Sequence, residues 1–232
     1  MKYHFLGRDV LKLIAIVSML LDHVGKIFFP KILILQIIGR LAFPIFAFFI
    51  AEGFYYTRNK LKYFINILIF AVIAQVPYSF LWGGLNILFT FACSLFLMFI
   101  WNLTAKLDKL ESMILKIVLL LIIVVVCGVA LITDMSYRWY GILLPFAFYI
   151  FRKNQVVKFL IFTCLTVGFV LEHILWLDKH VTFNNLMQLF SLFSIILLIF
   201  YNDTLKGNKK FKYLFYVFYP LHLAVLLVLT WL

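Results

Sequence analysis

The feature that most constrains the fold of this chain is a series of long apolar runs that recurs from one end of the sequence to the other. The runs are close to the ~20 residues that an α-helix needs to cross a hydrocarbon core of about 30 Å. The loops between them are short, and no polar stretch is long enough to form a soluble domain. The sequence therefore predicts an all-α fold, a membrane helical bundle that forms a single domain over residues 1–232.

Composition agrees with a membrane protein. Hydrophobic residues make up 66% of the chain and charged residues 13%, whereas a soluble domain has close to half and about a quarter. The three cysteines lie within apolar runs and lack the paired spacing of a metal site or disulfide, so we expect neither. No small-residue cleavage site follows the first run, so we expect no cleavable signal peptide.

The positions of the apolar runs and of the cations predict about nine spans and their orientation. Loops on one side of the nine-span arrangement hold fifteen of the 21 Lys and Arg residues, and the opposite loops hold four. Such an asymmetry orients membrane proteins and does not indicate nucleic-acid binding, so we predict a cytoplasmic N-terminus and a C-terminus outside. The predicted spans are 10–29, 33–54, 63–82, 86–104, 113–132, 139–151, 157–177, 185–201 and 213–231.

Polar side chains gather in the non-cytoplasmic half of the predicted bundle. Span one runs outward and span two runs back, so Asp22, His23 and Arg40 share one depth. Ionisable groups inside a span are costly and usually face the bundle interior, where they act. We therefore predict a polar cavity that opens to the outside. Its other predicted members are Gln75, Tyr78, Asn86, Thr90, Asp134 and Tyr137.

Asp22 and His23, which are adjacent in the first run, have two interpretations. A carboxylate that orients an imidazole is the arrangement of a general base. Adjacent residues of a helix point about 100° apart, so Asp22 could instead pair with Arg40 or Lys26 and hold two spans together. For His23 the alternative to a functional role is structural hydrogen bonding.

The closing stretch "FYVFYPLHLAV" contains a proline in an apolar run. Pro220 removes a helical hydrogen bond and leaves backbone carbonyls without their usual donors near mid-membrane. His222 follows two residues later, where such carbonyls could orient it. Kink repair and a role in a site are both open for His222.

The end of span two, "AEGFYYTRNK", combines an acid, cations and aromatic residues. In one interpretation Glu52 pairs with Arg58 or Lys60 in a routine interfacial network. In the other, the cations hold an anionic phosphate and the aromatic rings stack a base. The residues of the second interpretation are Arg58, Asn59 and Lys60, with Tyr55 and Tyr56 beside them.

These motifs, in this order, resemble the TraX family. The opening reads "LKLIAIVSMLLDHVGKIFFP" and then "IIGRLAFPIFAFFIAEGFYYTRN". The likeness continues through "KYFINILIFAVIAQVPYSF", "NILFTFACSL" and "FYVFYPLHLAVLL", and so spans essentially the whole chain. The DH, GR-x-x-F-P, EGF-x-x-T-R-N and YP-x-H blocks are its most specific parts.

The resemblance implies an activity. The founding member of the family is associated with N-terminal acetylation of the conjugative F-type pilin. The family is also similar to membrane acyltransferases such as the lysosomal heparan-glucosamine N-acetyltransferases, which are supplied with acyl-CoA from the cytosol. The implied function is a multi-pass acyltransferase, most simply an acetyltransferase, of the bacterial cytoplasmic membrane. Its co-substrate would be acetyl-CoA or another acyl-CoA, without a metal, and its acceptor a pilin-like peptide or a glycan outside.

The resemblance also implies roles for single residues. His23 would be the catalytic base or acyl carrier, and Asp22 and Arg40 would orient it or stabilise the oxyanion. Acyl transfer needs a base and oxyanion donors, and the amides of Gln75 and Asn86 could supply the donors as well. The remaining members would be Arg58, Asn59, Lys60 and Glu52 near the cytosolic entrance for CoA, and His222 in the core.

One stretch departs from the family pattern. The family usually has a compact Asp-Tyr-Gly-x-x-Gly element after span five. Here the stretch reads "TDMSYRWYG", in which Asp134 lies seven residues before Gly141. Either Asp134 is displaced or Ser136 stands in the place of the acid.

Two other classes of function fit the same residues. A small-solute channel or transporter would use the polar half as its substrate site, although we find none of the internal repeats that many transporters have. An accessory protein for conjugation or secretion would use its polar spans to bind partner helices.

Overall fold

The structure is a computed structural model that describes residues 5–104, 106–177, 181–202 and 209–232, with the side chains of 209–215 excepted. Every regular element in these ranges is a helix, and the only pairing of β type is two isolated bridges. The predicted all-α fold is therefore confirmed. Three cations of the charge count, Lys2, Lys179 and Lys206, lie outside the described residues.

Eleven α-helices follow one another along the described chain. A π-helical turn, His173–Leu177, extends the eighth helix, and a 3₁₀ helix, Met187–Phe193, joins the ninth to the tenth. The α-helices are α1 (Arg8–Ile27), α2 (Leu33–Gly39), α3 (Ala42–Tyr56), α4 (Lys60–Leu81), α5 (Ile87–Thr104), α6 (Lys109–Ile132), α7 (Arg138–Ile150), α8 (Gln155–Glu172), α9 (Phe183–Leu186), α10 (Ser194–Ile199) and α11 (Lys209–Leu229).

Each predicted span coincides with a helical segment, with ends that agree to within four residues. Among the described residues, five segments are long and apolar enough to cross a membrane. α1 has the length but carries Lys12, Asp22 and Lys26, which lower its hydropathy. The count of nine and the orientation stay predictions. The five segments are Leu33–Tyr56, Lys60–Leu81, Ile87–Thr104, Lys109–Ile132 and Gln155–Leu177.

Predicted span two is interrupted where the sequence places Gly39 and Arg40. α2 ends at Gly39 and α3 begins at Ala42. Pro44 lies in the first turn of α3, where its missing N–H has no helical acceptor in any case. The interruption therefore costs little, and it brings the Arg40 side chain to a helix junction.

The helices form two compact units, which we describe separately. The first comprises the described parts of Met1–Phe46 and Lys153–Leu232, and the second comprises those of Ala47–Arg152. The single domain over residues 1–232 stays a prediction.

In the first unit α1 packs against α2 and α11. The 3₁₀ helix packs against α2 and α8. Leu11 and Ala15 of α1, Phe162 of α8 and Leu223 of α11 are fully buried and form part of its core. These helices bring the two ends of the chain together.

In the second unit α5 is the central helix and packs against α4, α6 and α7. Gly141 of α7 permits close packing, because a Cβ atom there would come within 2.6 Å of the Thr90 methyl group on α5. Only 11% of the α6 span is buried, as expected for an apolar helix that faces lipid.

Candidate functional site

Two histidines from opposite ends of the sequence meet in the first unit. Nδ1 of His23 on α1 lies 2.9 Å from Nε2 of His222 on α11, and the rings are parallel to within 2°. Nδ1 of His222 lies 2.8 Å from the backbone oxygen of Phe218. His222 is therefore held between its own helix and His23.

These hydrogen bonds determine where the protons of the neutral pair lie. A carbonyl oxygen accepts and does not donate, so Nδ1 of His222 carries a proton and donates it to Phe218. A neutral imidazole has one N–H, so Nε2 of His222 accepts from Nδ1 of His23. The basic lone pair of His23 is then on Nε2. This is the tautomer that a general base or acyl carrier needs on its reactive nitrogen.

The proline in α11 lies between His222 and its acceptor. Pro220 is inside the helix, and the ring of Phe218 stacks on His222 with centroids 4.8 Å apart. A backbone carbonyl one turn earlier on its own helix thus orients His222. His222 also contacts His23, so the contact goes beyond repair of the helix.

Asp22 lies between two cations. Its Oδ1 accepts from Nη2 of Arg40 at 2.8 Å, and its Oδ2 accepts from Nζ of Lys26 at 2.6 Å. The sequence left pairing with Arg40 or Lys26 open, and the structure has both pairs. The three groups carry a net charge of +1, and they join α1 to the junction between α2 and α3.

Two glycines let α1 and α2 approach closely at this point. A Cβ atom at Gly39 would lie 2.7 Å from Oδ1 of Asp22, and one at Gly25 would lie 2.9 Å from the Leu35 Cβ atom. Neither helix has room for a side chain there. The glycines therefore set the distance at which Arg40 reaches Asp22.

The ion cluster and the histidine pair are neighbours, because Asp22 and His23 follow each other on α1. Asp22 and His222 are buried, and Arg40 is 14% exposed at its side chain. The arrangement offers a basic imidazole nitrogen and, close by, excess positive charge. A proton acceptor beside cations suits a reaction in which an oxyanion develops.

In the second unit Gln75 and Asn86 form a closed network. Asn86 Nδ2 donates to the Ala71 carbonyl at 2.8 Å and to Gln75 Oε1 at 2.9 Å. Gln75 Nε2 donates to the Gly84 carbonyl at 2.9 Å. Both amide protons of Asn86 thus have acceptors that brace α4 against the start of α5. The role of these two amides in a substrate pocket stays a prediction.

Tyr78 and Thr90 converge on the loop before α7. The Tyr78 hydroxyl lies 2.8 Å from Oγ of Ser136, and Thr90 Oγ1 donates to the Ser136 carbonyl at 2.9 Å. The Asp134 side chain is 72% exposed and lies 3.8 Å from Arg138. Ser136 therefore lies among these contacts and Asp134 lies outside them, and which of the two stands for the acid of the family element stays a prediction.

The backbone of this loop is strained. Asp134, Tyr137 and Arg138 all have positive φ, at 47°, 60° and 44°, a region that residues other than glycine rarely adopt. Tyr137, a predicted pocket residue, immediately precedes α7. The backbone hydrogen bond from Ser136 to Leu85, at 2.9 Å, ties the loop to the turn before α5.

At the end of α3, Glu52 pairs with a residue that the sequence did not indicate. Arg152 Nε and Nη2 donate to the two Glu52 oxygens at 2.8 and 3.0 Å. The guanidinium lies 3.9 Å from the centroid of the Tyr55 ring and donates to the Tyr56 hydroxyl at 2.7 Å. The predicted partners of Glu52, Arg58 and Lys60, were therefore wrong.

The three other predicted donor-site residues lie at the start of α4. Asn59 is the N-cap, whose Oδ1 accepts from the Lys62 N–H at 2.8 Å. Lys60 Nζ donates to the Phe54 carbonyl at 3.0 Å. Arg58 is exposed, as a surface group for an anion must be, and binding of CoA here stays a prediction.

Sequence reasoning missed Arg152 as a partner because the pair joins positions 100 residues apart. The only local signal was its place in a cation-rich loop. It also left His222 undecided, because the contact with His23 spans 199 residues.

Comparisons with known proteins agree with the resemblance. The TraX protein family matches residues 7–230. A relative from Dichelobacter nodosus, named "Probable fimbrial assembly protein FimC, serogroup H1", is 30% identical over 236 residues, which cover 93% of this chain and 92% of the relative. The "Uncharacterized protein RP591" of Rickettsia prowazekii (strain Madrid E) is 41% identical over 69 residues, 30% of this chain and 26% of that protein. No solved structure matches. Because the family match covers nearly the whole chain, this protein belongs to the TraX family.

Proposed function

We propose that this protein is an integral membrane acetyltransferase of the cytoplasmic membrane. It moves an acyl group from cytosolic acyl-CoA to an amine or hydroxyl on the outer side, such as the N-terminus of a pilin-like subunit or a cell-surface glycan. The observation that carries the proposal is the histidine pair, in which His222 holds His23 in the tautomer with its lone pair on Nε2.

The chemistry follows from that lone pair. Nε2 of His23 accepts the proton of the acceptor amine while the amine nitrogen attacks the thioester carbonyl carbon. A C–N bond forms, and the negative charge that develops on the carbonyl oxygen is stabilised by the positive excess at Arg40 and Lys26. When the C–S bond breaks, the proton on His23 passes to the leaving thiolate. The amide and the thiol are the products.

Asp22 has a positioning role in this scheme. Its carboxylate holds Arg40 and Lys26 on the side of α1 next to His23. Without it the two cations would repel each other and separate. Asp22 thereby keeps the oxyanion-stabilising charge close to the reacting carbonyl.

The residues that would bind CoA lie at the end of α3 and just before α4. Arg58 is exposed, and the adjacent rings of Tyr55 and Tyr56 are about half exposed. A nucleotide with phosphates and a base would be bound by such a combination of cation and aromatic rings. Glu52 would act through Arg152, whose guanidinium it holds against Tyr55.

The relative from Dichelobacter nodosus favours a second candidate, an accessory role in fimbrial assembly. That role and acetylation are compatible if the acceptor is a fimbrial subunit. The two roles differ if the protein supports assembly by binding subunits without acetylating them. A small-solute channel or transporter has no observation that favours it.

The test is acetyl transfer by purified protein in lipid nanodiscs, with acetyl-CoA and a pilin-like peptide whose N-terminus is free. His23→Ala should fold normally and lower the rate by about 10²- to 10⁴-fold. Mass spectrometry of the peptide measures the product.

His173→Ala is the matched control. Nδ1 of His173 donates a hydrogen bond to the backbone oxygen of Phe169 at 2.9 Å, just as Nδ1 of His222 donates to the backbone oxygen of Phe218. It should keep the parental rate. A His23→Ala protein as active as the parent would refute the catalytic assignment. An inactive parent that still supports fimbrial assembly would favour the accessory role.

A further inference from the structure

The 3₁₀ helix Met187–Phe193 and the first residue of α10 carry a row of buried polar side chains in the first unit. Gln188, Ser191 and Ser194 are 5%, 0% and 0% exposed. Residues three apart lie on one face of a 3₁₀ helix, because it has three residues per turn. Gln188 Nε2 and the two serine Oγ atoms have no hydrogen-bond partner within the described part of the chain. We call these three residues the donor row.

The unusual winding is what aligns the donor row. The 3₁₀ run is seven residues long, whereas runs longer than about four residues are uncommon. In an α-helix each step of three residues would turn by about 300°, so the three side chains would spread over about 120°. The chain keeps the less favourable winding at the place where it lines up three polar groups.

Burying such groups without partners is unfavourable in a protein. An unpaired hydroxyl or amide in an apolar interior forfeits the hydrogen bonds it makes in water. Three in succession on one face are therefore unlike a chance defect of packing. They are the arrangement expected of a surface that gains its hydrogen bonds from a ligand.

The donor row belongs to the unit that holds the histidine pair. Its helix packs against α2, and α2 ends next to Arg40. It also packs against α8. A ligand on the row would therefore lie among the helices that build the proposed reaction centre.

The chemistry of the row defines the ligand. All three orphaned atoms can donate a hydrogen bond, and a rise of about 2.0 Å per residue separates successive donors by about 6 Å. A ligand with hydrogen-bond acceptors about 6 Å apart would satisfy all three groups. An acyl-pantetheine arm has three carbonyls, on two amides and a thioester, that are separated by methylene groups.

The spacing of those carbonyls agrees with the row. Four covalent bonds separate the two amide carbonyl carbons and five separate the second amide from the thioester, which is about 5 to 6 Å in extended form. We propose that the donor row binds the acyl-pantetheine arm of the thioester donor and guides its carbonyl to the histidine pair. This inference rests on the proposed acyl transfer, and it adds which residues hold the donor within the bundle.

An extended peptide is the competing ligand. Its carbonyls alternate in direction along the chain, and every residue adds an N–H group that must find an acceptor of its own. The pantetheine arm has only two N–H groups and no side chain at most of its atoms. The row therefore favours the arm. The same arm occurs on coenzyme A and on acyl carrier proteins, and the experiment separates these sources.

The experiment measures binding of S-acetyl-pantetheine, acetyl-CoA and an acetylated acyl carrier protein to the full chain in nanodiscs. The variant is Gln188→Leu with Ser191→Ala and Ser194→Ala, which removes the donors with little change of volume. Removing unpaired polar groups should leave the thermal midpoint unchanged or higher. Ser94→Ala is the control, because that buried hydroxyl has an acceptor, the Ile142 carbonyl at 2.7 Å.

Each lost hydrogen bond weakens binding by about two- to tenfold, so the triple variant should bind S-acetyl-pantetheine at least about tenfold more weakly than the parent. Ser94→Ala should bind it as the parent does. Tighter binding of acetyl-CoA than of the carrier protein assigns the arm to coenzyme A, and the reverse assigns it to the carrier.

Three results would overturn the inference. Equal binding of S-acetyl-pantetheine by the parent and the triple variant would show that the donor row does not bind the thioester. It would not contradict the proposed acyl transfer. A triple variant that raises only the KM of the acceptor peptide would assign the row to the acceptor. A parent that binds none of the thioesters would refute the proposed donor, and the inference with it.

Discussion

Gly39 lies so close to Asp22 that a methyl group at position 39 would come within 2.3 Å of the Asp22 Cβ atom. The contact holds α2 against α1 at the level where Arg40 reaches the carboxylate. A glycine beside the ion cluster therefore determines the distance between the charged groups of Asp22 and Arg40.

Gly39→Ala should separate α1 from α2 and lower the stability by about 1–3 kcal/mol, the usual effect of overpacking. Acetyl transfer should fall as well, because Arg40 would no longer reach Asp22 at 2.8 Å. Thermal unfolding in nanodiscs and the transfer assay measure the two effects. Gly128→Ala on α6 is the control, since nothing lies within 4 Å of a Cβ atom there. Equal behaviour of the two variants would contradict the prediction.

The tautomer of His23 can be observed directly. ¹⁵N NMR of protein labelled at histidine should show the proton of His23 on Nδ1, since that atom donates to His222 at 2.9 Å. In His222→Ala this acceptor is gone, so both tautomers should appear and transfer should slow. A parental spectrum with the proton on Nε2 would rule out the proposed base.

Asp22→Asn should destabilise the first unit by about 3 kcal/mol, because it leaves two cations facing each other beside a buried amide. Adding Lys26→Gln should restore part of that stability, since it removes one of the two positive charges. Unfolding in denaturant measures both variants. A double variant no more stable than the single one would show that repulsion between Lys26 and Arg40 is unimportant.

Glu52 and Arg152 should be strongly coupled. A double-mutant cycle with Glu52→Gln and Arg152→Gln should give a coupling energy of about 1–3 kcal/mol, because the pair has two hydrogen bonds of 2.8 and 3.0 Å. Arg58→Ala should change stability by less than about 0.5 kcal/mol but abolish thermal stabilisation by CoA. Stabilisation by CoA that survives Arg58→Ala would exclude Arg58 from the donor end.

Ser136→Ala should cost about 1 kcal/mol of stability, because it removes the hydroxyl that contacts Tyr78 at 2.8 Å. Asp134→Ala should cost less than about 0.5 kcal/mol, because that side chain is 72% exposed. Thermal unfolding compares them. A larger loss of stability for Asp134→Ala than for Ser136→Ala would show that Asp134, and not Ser136, makes the more important contacts of this loop.

Much of the fold could be predicted from the sequence, because membrane spans have a length fixed by the bilayer. Each apolar run became a helix, with a break at Gly39 and Arg40 between α2 and α3. The ion pairs of Asp22 were also within reach, since Lys26 is one turn away on the same helix and Arg40 follows the end of the next helix.

Contacts between distant parts of the chain could not be predicted. No local pattern indicates that His222 meets His23, or that Arg152 and not Arg58 pairs with Glu52. The 3₁₀ winding of Met187–Phe193 also leaves no clear trace in an apolar sequence. These features depend on how helices pack, which composition and periodicity do not specify.

The acceptor that sets the proton positions of the histidine pair is the oxygen atom of a peptide group, and every residue type at position 218 has one. An alanine at position 218 would remove the ring that stacks on His222 but keep the carbonyl oxygen. Alanine scanning therefore does not test the hydrogen bond from His222 to this oxygen. Replacing the 218–219 amide by an ester, which weakens the carbonyl as an acceptor without altering any side chain, is the change to which this part of the protein should respond.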